Sequence, residues 1–103
     1  METSEQILTK LEAAQNELDL VDRYRQLRAT RYFDDGDLAG DFLLSVLWEH
    51  VGGHDRLASE IRRMAEAIGF SWGLIRKLKA ELGITSYRRS GKWWWHCPPE
   101  GDA

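Results

Sequence analysis

The chain has 103 residues, 43% hydrophobic and 30% charged, with a net charge of −3. That is enough material for one domain with a modest core, and too apolar for a disordered chain. No run approaches the roughly 18 apolar residues of a membrane crossing, the acidic start METSEQILTK lacks a signal peptide's order, and a lone Cys97 excludes an internal disulfide and fits a reducing, cytoplasmic setting.

The charge is unevenly spread. From Met1 to His54, 5 basic residues accompany 11 acidic ones, whereas from Arg56 to His96 there are 9 basic residues and 3 acidic. An acidic arm on a basic domain predicts an anionic partner for the second part.

In chain order, residues 1–31 read as an N-terminal amphipathic helix. Ile7, Leu11, Ala14, Leu18 and Val21 recur at alternating spacings of 4 and 3, a heptad-like stripe. Ser4 is a candidate cap, and Glu2 and Glu5 suit the positive end of the helix dipole. The stripe then drifts to Tyr24 and Leu27. It must be buried on a second copy of the chain or on the chain's own domain, and a dimerisation arm is the expectation. Residues 32–40, YFDDGDLAG, read as a linker, with Asp34, Asp35 and Asp37 supplying turn chemistry rather than a calcium loop.

Residues 41–99 read as one further domain, with 100–103 as a tail. A helix from Asp41 to Val51 turns Phe42, Leu43, Val46, Leu47 and Val51 inward and ends at Gly52-Gly53. The next, Arg56 to Ile68, buries Leu57, Ile61, Met64, Ala65 and Ile68 and stops at Gly69. Phe70 is placed to plug the corner. Ser71 caps a helix from Trp72 to Leu82, whose inner face is Leu74, Ile75, Leu78 and Leu82. Beyond Gly83 the period changes. Ile84 to Tyr87 and Trp93 to Cys97 read as two strands, joined by a turn over Arg88 to Lys92 and ended by Pro98-Pro99.

Helix, short glycine turn, helix and then a hairpin is a winged helix-turn-helix, so the expected fold is mainly α with a small β-hairpin, preceded by a long N-terminal helix. Strand alternation puts Trp93 and Trp95 on one face, expected to pack inward, and Trp94 on the other beside His96.

The segment EIRRMAEAIGFSWGLIRKLKAELGITSYRRSGKWWWHCPP also resembles the winged-helix domains at the C-terminal end of phage and plasmid replication proteins of the primase-helicase kind. The likeness lies in Ala65, Gly69-Phe70-Ser71, Arg76-Lys77, Lys79, Leu82-Gly83-Ile84, Trp93 and Trp95, and Pro98, and covers roughly residues 42 to 99. Leu74, Leu78 and Cys97 depart from the pattern. The resemblance implies a winged helix that serves replication. No Gly-x-x-x-x-Gly-Lys-Ser/Thr phosphate loop accompanies it.

For DNA, the outward residues of the second helix of the pair are Trp72, Gly73, Arg76, Lys77 and Lys79. Arg76 carries the planar fork that reads guanine, and Gly73 permits close backbone approach. Arg62 and Arg63 on the preceding helix, with Arg88, Arg89 and Lys92 on the wing, suit phosphates. Trp94 is a candidate contact, and Trp72 either stacks on a base or covers the seam beneath the wing. No metal or cofactor is expected. His50 and His54 are separated by a helix break, and His96 and Cys97 point to opposite faces. No catalytic constellation is present.

The expected function is sequence-specific binding of double-stranded DNA by a homodimeric regulator of transcription or replication accessory of a phage or mobile element. The alternative is a protein adaptor or phage inhibitor, whose winged helix and acidic arm bind a replication or host protein. No membrane partner is expected.

Overall fold

A computed structural model of the chain describes residues 4–48 and 55–97, with side chains for 17–48 and 55–97. Its elements are α1 (Ser4–Ala29), α2 (Asp35–Trp48), β1 (Asp55–Leu57), α3 (Ala58–Ile68), α4 (Trp72–Glu81), β2 (Thr85–Arg89) and β3 (Lys92–His96). The protein is mainly helical, with a small three-stranded antiparallel sheet in the order β1-β3-β2. Readings that rest on Val51, Gly52-Gly53, His50, His54, Pro98-Pro99 or the tail 100–103 lie outside the described residues.

The second half of α1 is not a free arm. Tyr24 is fully buried, with Leu20, Val21 and Leu27 packed beside it against the core. The Tyr24 ring meets Phe42 edge-on at 5.7 Å. Its hydroxyl donates to Asp41 Oδ2 at 2.5 Å and lies 3.0 Å from Ser45 Oγ. Burial, reinforced by the Asp41 carboxylate, raises the phenol above its ordinary range.

Burying a large aromatic stabilises by about 1.5–3 kcal/mol, so Tyr24 fixes the rotation of α1. At roughly 100° per residue, Leu18 then lies about 120° round the helix, and it is 60% exposed. Of the expected dimerisation stripe, Val21 packs on the chain's own core and Leu18 faces solvent. The side chains of Ile7, Leu11 and Ala14 lie outside those described.

The linker is shorter than residues 32–40. α2 starts at Asp35, because Leu38 and Ala39 extend its buried stripe ahead of Phe42, Leu43, Val46 and Leu47. Asp35 and Asp37 occupy the first turn, where the helix dipole favours carboxylates. The chain reverses instead at Thr30 to Asp34, with Arg31 at φ 57°.

α3 begins at Ala58, two residues later than its apolar spacing predicts, because Asp55–Leu57 pairs with β3 as a strand. Ile61, Met64, Ala65 and Ile68 are buried as expected. Gly69 closes the helix at φ 107°, and the N–H groups of Gly69 and Phe70 both donate to the Ala65 carbonyl. Phe70 is buried and meets Phe42 at 5.9 Å. Ser71 Oγ accepts from the Leu74 N–H at 3.2 Å and caps α4. Ile75 is fully buried beneath that helix, while Leu74, Leu78 and Leu82 are half-buried against the core. Ser90 and Gly91 join β2 to β3 with φ of 54° and 74°, the double positive φ of a tight two-residue hairpin.

Candidate nucleic-acid interface

α4 presents one outward stripe. Gly73, Arg76, Lys77 and Ala80 are all exposed, and they follow the i, i+3, i+4, i+7 spacing of a single helix face. Two small residues therefore flank two cations. Neither Arg76 nor Lys77 has an ion-pair partner among the described residues, and nothing stands within 4 Å of a Cβ built on Gly73. The helix dipole does not oppose cations there, since Arg76 and Lys77 sit past its first turn.

Lys79 leaves that stripe. It is half-buried, its ammonium 5.2 Å from the Trp95 ring centre and 3.3 Å from Ser86 Oγ. Trp95 is 5% exposed and stacks on Trp72 at 5.2 Å with planes 21° apart. Arg62 in turn lies 5.4 Å from the Trp72 ring centre. Each indole gives one face to the other, which leaves the outer faces to the cations, in the layer order Arg62, Trp72, Trp95, Lys79. Trp72 thus seals the seam beneath the hairpin, the second of the two roles its sequence position left open.

The three consecutive tryptophans divide differently from the expectation. Trp95 is buried, but Trp93 on the same face is 53% exposed. It lies toward the hairpin turn, opposite Arg88, whose guanidinium sits 5.6 Å from its ring centre. The helices cover one end of this sheet face and leave the other open. Trp94 points the other way, as alternation requires, but is half-buried between its cross-strand partners Leu57 and Tyr87. Arg89 lies 4.7 Å from its ring centre, and its Nε1 is buried with no hydrogen-bond partner among the described residues. Trp93, not Trp94, is the accessible indole of the hairpin.

Of the expected phosphate contacts, Arg88, Arg89 and Lys92 are exposed on the hairpin. Arg62 is exposed but bonds Glu66 at 2.9 Å. Arg63 is drawn toward α1, where Glu17 holds it at 3.1 Å. The same Glu17 accepts from Arg56 at 2.6 Å, and Arg56 also bonds Glu60 and the Val46 carbonyl.

A polar cluster on the opposite sheet face has no counterpart in the sequence reading. Asp55 accepts from the Tyr87 hydroxyl at 2.5 Å and bonds His96 Nδ1. The Tyr87 bond and then the His96 bond hold the Asp55 carboxyl below its ordinary range, while Asp55 raises the Tyr87 phenol. No run signals it, because the three residues meet only once β1, β2 and β3 are paired.

Cys97 is buried in the core, which raises its thiol, with Trp48 against it. Among the described residues no three His, Cys, Asp or Glu side chains gather as a metal site, and no helix is long and apolar enough to cross a membrane.

The chain matches no family model, no curated protein and no solved structure.

Proposed function

We propose that this is a winged-helix protein that binds double-stranded DNA, with α4 in the major groove and the β2–β3 hairpin along a flanking phosphate strand. The observation that carries the proposal is the outward stripe of α4, on which Arg76 and Lys77 stand exposed between Gly73 and Ala80, without carboxylate partners among the described residues. Small residues at both ends let a helix approach a groove floor, and the guanidinium between them reaches the paired acceptors of guanine. The order α2, β1, α3, α4, β2, β3 supports the winged-helix reading, with the hairpin widened into a sheet by a strand ahead of the helix pair. Arg88, Arg89 and Lys92 then meet phosphates, which position the protein without reading sequence.

In the cell this activity belongs to a regulator or replication accessory of a phage or mobile element. The test is an electrophoretic shift of random and native-locus duplexes across a salt series. Affinity falls steeply with salt, because phosphate contacts release counterions, and each contact contributes a slope of about 0.9. Arg76→Ala combined with Arg88→Ala abolishes the shift. Absence of any shift at low salt overturns the proposal. An unchanged protein pulldown by that double variant would assign the fold to an adaptor.

A further inference from the structure

Beside the wing lies an open cleft of about 330 Å³, at the lower end of the roughly 300–1,000 Å³ of ligand pockets. Leu57, Ala58, Trp72 and Trp93 form its apolar walls, and its charged lining residues, Arg62 and Lys92, are both cationic. Ser59 adds a hydroxyl in the first turn of α3, and Leu57, the N-cap, makes no side-chain capping bond there. Room for one flat ring, an exposed indole and two cations together describe a nucleotide's needs: a surface to stack on and a counter-charge for its phosphate. Arg62 divides its guanidinium between Glu66 and Trp72, so Lys92 is the lining cation without a partner among the described residues.

We propose that this cleft holds one unpaired base of a DNA strand, stacked on Trp93, with its phosphate at Lys92 and Arg62. The proposal rests on the duplex-binding reading above, which brings DNA to α4 and the hairpin on either side of the cleft. A paired base hides both of its faces in the stack, so Trp93 has nothing to stack on along an intact duplex. An overhang, a fork or a melted segment supplies the missing surface. The chain would thereby prefer a junction between double and single strands to a continuous duplex.

The test compares the full chain on a random-sequence duplex, blunt or carrying an oligothymidine overhang, at low salt. The wild type binds the tailed duplex about tenfold more tightly, the order of one base–aromatic stack. Trp93→Ala loses this gain and keeps the blunt-duplex affinity, Trp93→Phe retains most of it, and Arg76→Ala weakens both substrates alike. Circular dichroism and a thermal melt show that Trp93→Ala remains folded, which its exposed position allows. Equal wild-type affinity for the two duplexes, or equal losses on both in Trp93→Ala, overturns the cleft assignment while leaving duplex binding intact. Failure to bind either duplex overturns both proposals.

Discussion

The Tyr87 hydroxyl reaches across β3 to donate to Asp55 at 2.5 Å, bonding one outer strand of the sheet to the other. With His96 of the central strand on the same carboxylate, three strands share one acceptor.

Because this carboxyl titrates below its ordinary 3.8 in the folded protein, its contribution to stability is present above the unfolded value and is lost as pH falls through the folded one. Tyr87→Phe removes the larger cause of the shift. The variant is expected to be less stable at neutral pH and to show a flatter decline of stability below about pH 4. Denaturant unfolding followed by near-ultraviolet circular dichroism across that range checks both slopes.

Glu17 sets a second expectation. Arg56 is only 11% exposed along its side chain, so Glu17→Ala withdraws a partner from a mostly buried charge. The Glu60 and Val46 bonds remain, which limits the loss to roughly 1–2 kcal/mol. Arg63, 65% exposed, lends its pair little, and Arg63→Ala costs under about 0.5 kcal/mol. Chemical denaturation of the two single variants and the double variant separates the terms.

The helix pair contains two glycines with opposite demands. Gly69 sits at φ 107°, where a side chain is strained, so Gly69→Ala is expected to cost about 1–2 kcal/mol. Arg28 Nη1, 2.6 Å from the added Cβ, is the end of a flexible side chain that can swing aside. Gly73 is helical and open, and Gly73→Ala stabilises by about 0.5–1 kcal/mol. If α4 enters a groove, that same methyl group weakens duplex binding while the thermal midpoint rises. A gain in both properties would remove Gly73 from the interface.

Tyr24 measures how far α1 belongs to the domain. Tyr24→Phe leaves the ring in place and loses the bonds to Asp41 and Ser45, a cost of about 1 kcal/mol. Tyr24→Ala opens a cavity between α1 and Phe42 and costs about 3–5 kcal/mol, enough to unfold a marginal domain. Equilibrium unfolding midpoints distinguish this from a detachable arm, in which both substitutions would be silent.

The helices were legible where periodicity and stop signals agreed. Ser71, Gly69 and Phe70 took the positions their residue types dictate, as did the inner faces of α3 and α4. Legibility failed where a contact distant in sequence decides the outcome. Asp55–Leu57 is too short to carry a period and becomes a strand only because β3 has a free edge. A heptad stripe cannot reveal that Tyr24, outside it, is fully buried while Leu18, within it, faces solvent. Alternation placed Trp93 beside Trp95 on one sheet face but could not show where the helices beneath that face end. At the candidate interface, residue type identified the cations. Only the packed structure separates Arg76 and Lys77, which stand free of described carboxylates, from Arg63 and Lys79, which are engaged elsewhere.

The near-parallel indoles of Trp72 and Trp95, 5.2 Å apart, couple their electronic transitions. The joint between α4 and the hairpin therefore carries its own pair of interacting chromophores. An excitonic contribution from this pair is expected while the hairpin stays docked, so a ligand that lifts the hairpin from the helix is expected to change the far-ultraviolet signal without any attached dye.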